Sequence, residues 1–384
     1  MKFTPNKNFA ENHLKTFIEK NILDYTKLRN FDYGPEKRNN ISLLSPYISH
    51  RVLFEFDIVK SVLNKYPYIK VEKFIQEIFW RIYWKGWLEL RPDVWNDFIS
   101  SAATIETDQN YFNAINGNTD IKCFNEWIFE LKKNNYLHNH TRMWFASIWI
   151  FTLNLPWQLG ANFFMRHLFD GDSASNTLSW RWVAGLQTVG KHYLATASNI
   201  SKYTNNKFEP KNLNEDASPL TDNKIYNVQD INYTNTEQSS DSLIMFDNDL
   251  SLKDSEHLLG KYKYIYLIHL PNESRCIKLS DNVINFKYAV FKDFSDIYTK
   301  SEILNGGDIK KVIDANQNID VIYPCIGENL SFLEKYNDDT KLNYIYRYED
   351  LFCWKYAKKG FFNFKKNIPL IIERVIKSKD LFNY

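Results

Sequence analysis

Residues 136 to 193 gather the side chains most able to do chemistry. In Tyr136-Leu137-His138-Asn139-His140-Thr141-Arg142-Met143-Trp144-Phe145-Ala146, the positions Asn139, Arg142, Met143 and Ala146 share one helix face, so a polar stripe interrupts a very apolar helix. A turn beyond the next helix, Asp170-Gly171-Asp172-Ser173-Ala174-Ser175-Asn176 sets two carboxylates and an amide on a short loop, followed by Trp180-Arg181-Trp182. Buried carboxylates need a cation or several donors, and Arg142 is the expected partner for one of them. Each piece also has a plainer reading. An Asp-Gly-Asp loop is what a helix N-cap with turn chemistry looks like, and Trp157, Trp180 and Trp182 suit core packing. A metal at Asp170 and Asp172 is the lesser reading, and none is expected. His138 and His140, two residues apart, point to different faces of a helix and are not expected to share one.

These side chains need rigid elements to position them, and the chain has the material. Its 384 residues are in the range of two domains, 44% are hydrophobic, and aromatic residues reach 16% against only 12 Gly and 11 Pro. So few punctuating residues argue against short strands with tight turns and favour long helices. The formal charge of +2 excludes a bulk electrostatic field, so nucleic-acid contact would need a local basic surface. Cys123, Cys276, Cys325 and Cys353 lie far apart, which speaks against a zinc site or a disulfide scaffold and fits a cytoplasmic setting. No signal peptide or membrane-length apolar run is visible, and a monomer is expected.

Three regions follow. Residues 1–203 read as a helical domain, with 23 basic and 19 acidic side chains up to position 200. Residues 204–241 turn to Asn, Asp, Ser, Thr and Pro and read as a polar linker that could lie across the first domain. Residues 242–384 change grammar. Leu243-Ile244-Met245-Phe246, Tyr264-Ile265-Tyr266-Leu267-Ile268, Val321-Ile322-Tyr323-Pro324 and Tyr344-Ile345-Tyr346 look like buried strands. Amphipathic segments Phe286 to Leu304, Leu330 to Tyr336 and Phe361 to Lys377 separate or follow them, which implies a small parallel α/β sheet. Asn305-Gly306-Gly307-Asp308 reads as a turn after a helix, not as a phosphate loop.

Taken in order, the motifs resemble the FAD-binding domain of the photolyase and cryptochrome family. The resemblance covers Tyr136 to Met143, Trp157-x-x-Gly160-x-x-Phe163-Phe164-Met165, Asp170-Gly171-Asp172-x-Ala174-x-Asn176 and Trp180-x-Trp182. Upstream, Ser42-Leu43-Leu44-Ser45-Pro46-Tyr47 looks like the family's phosphate-binding loop, Glu77-Ile78-Phe79-Trp80-Arg81 like its Glu-x-x-Trp-Arg helix, and Tyr25-x-x-x-Arg29-Asn30-Phe31 like the lead-in. The span is about residues 20 to 195. The implied architecture is an all-α photolyase-type FAD-binding domain followed by a small α/β domain, an unusual order, since the family places its antenna-binding α/β domain first. The second domain would then pack where that domain usually does.

The resemblance implies FAD, with an antenna chromophore left open. Ser42, Ser45 and Arg29 would bind the diphosphate, since hydroxyls and free N–H groups at a helix start suit an anion. Tyr25, Leu44, Phe74 and Arg81 would complete the cofactor site. Arg142 and Asp170 would pair over the isoalloxazine ring, Asp172 would accept from its polar edge, and Asn176 would face N5. Asn in that place is the photolyase choice, and His138-Asn139 departs from the paired histidines of (6-4) photolyases. For a cyclobutane pyrimidine dimer, Glu77 would donate to a thymine carbonyl, Asn139 and Met143 would line the pocket, and Trp80 and Trp182 would stack on flipped bases. Trp157 and Trp180 would carry electrons to oxidised flavin; the outer position near Ile115 lacks a Trp, leaving Tyr111, Phe112 or Trp127. The implied activity is light-driven repair of dimer-containing DNA, with Arg51, Lys85, Arg166, Arg181 and Lys191 as a basic rim. A cryptochrome-like photoreceptor and a flavin-free helical interaction protein are the competing readings. His50-Arg51 replaces the family's aromatic-Gly pair and brings a charge without an assigned purpose.

Overall fold

The computed structural model describes residues 3–231, 237–251, 258–336 and 341–377. From Lys7 to Tyr203 the described residues form helices and no strand. The longest, Tyr68–Glu89, buries Val71, Phe74, Ile75, Ile78, Phe79, Ile82 and Tyr83. That spacing leaves Glu77, Trp80, Arg81 and Trp84 together on another face by i, i+3, i+4, i+7. Against the apolar faces pack the helices Ile22–Leu28, Glu55–Leu63 and Ser173–Ala184, and from the far end of the chain Tyr348–Trp354. Gly86 permits this last approach, because a Cβ there would lie 2.6 Å from the Trp354 ring.

The second part is a five-stranded parallel sheet. Its strands are β1 (Ser242–Phe246), β2 (Tyr264–His269), β3 (Ser301–Asn305), β4 (Ile319–Ile322) and β5 (Leu342–Ile345), in the order β3-β2-β1-β4-β5. β1 is central and wholly buried, with Leu243 opposite both Ile265 and Asp320. Such a strand needs an unbroken apolar run, which is why it is legible in sequence. β3 is not. The Phe286 to Leu304 segment expected as one amphipathic element is a helix, Asp281–Ile297, and then an edge strand. The strand is only partly buried and carries Ser, Glu and Asn, so its Ile303 and Leu304 extend the helical pattern by coincidence. The Asn305–Asp308 turn therefore follows a strand, not a helix.

Residues 204–231 run over the helical domain as a strap. Asn214 donates to Phe151 O at 3.1 Å, the Leu220 N–H to Ala184 O at 2.9 Å, and the Gln229 N–H to Leu90 O at 2.9 Å. Gly185 caps its helix at φ 87°, and a Cβ there would press 2.6 Å from Pro219.

The α/β domain is packed against the helices through buried charge. Arg51 sits at φ 50° and is 2% exposed. It donates to Glu55 at 3.2 Å, Asp249 at 2.9 Å and both oxygens of Asp350 at 2.7 and 2.6 Å. Its neighbour His50 bridges Asp247 O at 2.6 Å and Phe169 O at 3.2 Å. Glu89 takes the Tyr323 hydroxyl at 2.9 Å and the Ile326 N–H at 2.6 Å, and Phe169 stacks on Phe286 at 4.3 Å. The purpose of His50-Arg51 is thus structural: the pair joins the two parts of the chain.

Candidate functional site

The motif residues converge on one cleft of about 580 Å³, inside the roughly 300–1,000 Å³ range of ligand pockets. Helix Ile22–Leu28 and its cap supply Tyr25 and Arg29. The loop before helix Ser45–Ser49 supplies Ser42 and Leu44, and the helix opens with Ser45. Tyr68–Glu89 supplies Phe74, Glu77, Trp80 and Arg81; Asn139–Ser147 supplies Asn139, Arg142 and Met143; the Asp170 loop and helix Ser173–Ala184 supply Asp170, Asn176, Trp180 and Trp182.

Arg142 is held in place on three sides. Its Nε donates to Leu137 O at 2.9 Å, its Nη2 to Asp170 Oδ2 at 2.9 Å, and its guanidinium lies 5.1 Å over the Tyr136 ring. Burial pushes the Tyr136 hydroxyl up to about 12. Burial would also raise Asp170, but Arg142, the Ser45 hydroxyl and Arg81 prevail and hold its carboxyl below the usual value. The Asn176 amide donates to Ala161 O at 2.9 Å, which fixes its orientation in the wall.

Glu77 faces Arg29 at 3.7 Å, so the carboxylate expected at substrate and the guanidinium expected at phosphate share one edge of the cleft. Burial dominates over Arg29 and Lys73 and raises the Glu77 pKa, which favours a carboxyl that can donate. Tyr25 packs edge-on against Phe74 at 5.3 Å. One face of Trp80 is covered: Phe361 of the α/β domain stacks on it at 3.6 Å and 11°. Trp182 lies near Tyr193 at 5.9 Å and remains partly open.

Three expectations meet a different geometry. Asp172 does not line this cleft; its Oδ1 accepts from the Ser175 N–H at 2.7 Å and caps its helix, and its Oδ2 accepts from Arg81 of the Tyr68–Glu89 helix at 3.2 Å, so both oxygens are engaged within the protein. Trp157 also lies outside the cleft wall, stacked on Phe98 at 5.5 Å, with Arg181 6.0 Å over its ring. Trp180 instead meets Trp149 edge-on at 6.2 Å, and Trp149 meets Tyr111 at 6.0 Å. Trp149 escaped sequence reading because nothing distinguishes it from core aromatics around it. The expected basic rim is corrected as well. Arg51, Lys85 and Arg181 are 2%, 5% and 5% exposed and turned to carboxylates, because long cationic side chains on packed helices were drawn into the interior; Arg166 and Lys191 are exposed.

The cleft suits FAD by its chemistry. It combines an apolar floor, three arginines and a row of hydroxyls, and the Ser175 Oγ and Trp180 Nε1 in its wall are buried without a hydrogen-bond partner. Such orphaned groups call for a ligand able to satisfy them. His138 and His140 are engaged elsewhere: His138 Nδ1 accepts from the His140 N–H at 3.1 Å, and the His140 ring reaches Asn30 O and the Tyr193 hydroxyl.

A family model described as the FAD binding domain of DNA photolyase matches residues 74–212. The deoxyribodipyrimidine photo-lyase of Buchnera aphidicola subsp. Baizongia pistaciae is 31% identical over 235 residues, covering 58% of this chain and 48% of that protein. The protein of the same name from Vibrio cholerae is 26% identical over 206 residues, covering 51% and 43%. A bacterial class III photolyase structure from Agrobacterium tumefaciens aligns with a TM-score of 0.46 and 24% identity over 53% of this chain and 43% of that one. The chain spans less than half the length of these relatives. With the cleft and its lining in view, the matches make the helical part of this chain photolyase-like: residues 74–212 match the FAD binding domain of DNA photolyase, and FAD is the cofactor that this match supports.

Proposed function

We propose that the chain repairs cyclobutane pyrimidine dimers in DNA under blue light. The observation that carries this reading is the convergence of Asn176, the Arg142–Asp170 pair, Glu77, Trp80 and Trp182 on one cleft. When bound and fully reduced, FAD would supply light-driven one-electron chemistry at this cleft. The protein supplies position and charge. Arg142, neutralised in part by Asp170, sets positive charge beside the site of an anionic ring. Ser42, Ser45 and Arg29 are offered to the diphosphate. Glu77, whose pKa burial raises against the pull of Arg29 and Lys73, is the group assigned to hydrogen-bond a thymine carbonyl when protonated. Asn139 and Met143 shape the mouth, and Trp182 with the free part of Trp80 gives flat walls for extruded bases.

The test is a single comparison. The purified protein is incubated with a thymine-dimer oligonucleotide in blue light and in darkness, and its visible spectrum is recorded. Repair in light alone supports the proposal. A flavin-bearing protein that absorbs light and repairs nothing supports a photoreceptor instead, and a colourless protein overturns both.

A further inference from the structure

With Arg51, Lys85 and Arg181 buried, a strand entering the cleft needs its phosphates neutralised elsewhere. The α/β domain carries a suitable surface. Residues 355–367 read Lys-Tyr-Ala-Lys-Lys-Gly-Phe-Phe-Asn-Phe-Lys-Lys-Asn, five lysines without a carboxylate in a chain whose net charge is only +2. This segment is fastened beside the cleft. Phe361 stacks on Trp80, Phe364 lies 5.5 Å from Tyr83, and Arg91 donates to Lys358 O at 2.8 Å. With Phe361 and Phe364 turned inward, Phe362 points out and is 80% exposed, and Lys355, Lys358, Lys359 and Lys366 are exposed around it.

Lys365 faces Glu72 at 3.3 Å and Lys358 faces Asp230 at 3.8 Å, and we propose that the rest of residues 355–366 form a DNA contact, in which Lys355, Lys359 and Lys366 bind backbone phosphates flanking the nucleotides that enter next to Trp80 and Phe362 stacks on an unpaired base. The proposal rests on the reading that the cleft receives DNA. Lysines interleaved with an exposed aromatic ring suit a single strand, which offers both charge and π faces. An anionic membrane fits less well. The helix Phe361–Lys365 is five residues long and spends two of its three Phe side chains on Trp80, Tyr83 and their neighbours, leaving no apolar face to insert.

The experiment titrates the full-length, flavin-bearing protein with fluorescent oligonucleotides in darkness across a salt series, using undamaged single strands and strands with one thymine dimer. Lys359→Ala/Lys366→Ala should weaken binding to both by several-fold. It should also reduce the slope of log affinity against log salt by about 1.4, since each phosphate contact on a single strand contributes about 0.7. Phe362→Ala should weaken binding about tenfold without changing that slope. The flavin spectrum should be unaltered in each variant. DNA binding of unchanged strength and slope in the lysine variant overturns the proposal, as does a wild-type protein that binds phosphatidylserine vesicles or nothing at all in place of DNA. If both strands bind through the lysines but the dimer confers no preference, the contact stands and the repair reading fails.

Discussion

Arg51 and Asp350 stand 299 residues apart and form a two-pronged ion pair, Nη1 to Oδ2 at 2.7 Å and Nη2 to Oδ1 at 2.6 Å. The pair is closed off from solvent and shares its charge with Glu55 and Asp249, while Arg347 reaches Asp249 at 2.6 Å. Truncating one partner of a buried pair strands the other, at a cost of about 3–5 kcal/mol. Asp350→Ala should therefore lower the urea midpoint strongly, and Asp350→Asn, which keeps the shape and some hydrogen bonding, should cost less. Equal midpoints for wild type and Asp350→Ala would show that the charge is relieved by water or by rearrangement.

Glu77 gives a prediction with a pH sign. Burial raises its pKa, so the proton available to a substrate carbonyl is lost as pH rises through that elevated value. Light-dependent repair should decline toward alkaline pH in the wild type and do so less in Glu77→Gln, whose amide still donates. Glu77→Ala should lose about tenfold, the worth of one hydrogen bond to a developing charge, with flavin retained. Loss of flavin from Glu77→Ala would place the residue in cofactor binding through Arg29 instead.

The aromatic contacts leading from the cleft run Trp180, Trp149, Tyr111. The Trp149 indole N–H donates to Pro156 O at 2.9 Å, an acceptor that stabilises positive charge, whereas Arg181 beside Trp157 opposes it. Under blue light with an external thiol as reductant, Trp149→Phe should slow the loss of oxidised-flavin absorbance more than Trp157→Phe. Trp180→Phe should slow it most. The reverse order for the first two would return the path to Trp157.

Acid should loosen the contact between the domains. His50 is buried between Asp247 O and Phe169 O, and burial lowers its pKa from 6.5 to about 4. Between those values the unfolded chain takes up the proton first, so stability is full above about pH 6.5 and falls as pH drops toward 4, by on the order of 2–3 kcal/mol. His138 and His167, held down to about 3 and about 4 by burial, act with the same sign. Urea midpoints measured across this range should fall, and His50→Gln should give a shallower slope. A midpoint independent of pH between those limits would contradict the assignment.

Much of the site was legible in sequence because its parts are local. Glu77, Trp80 and Arg81 share a helix face by spacing alone, and Asp170, Asn176, Trp180 and Trp182 lie within one loop and the helix it opens. The strands β1, β2 and β4 announced themselves as apolar runs, since a parallel sheet buries both faces. What only the tertiary structure decided is long-range. Which cations remain at the surface depends on carboxylates hundreds of residues away: Arg51 is internal because Asp249 and Asp350 are there to meet it, and no local pattern carries that information. Asp172 could be cap or ligand until its two oxygens were placed. The stacking of Phe361 on Trp80, which brings a lysine-rich segment to the edge of the cleft, joins two stretches with nothing in common but complementary apolar faces, and such matches form only when the whole chain is folded.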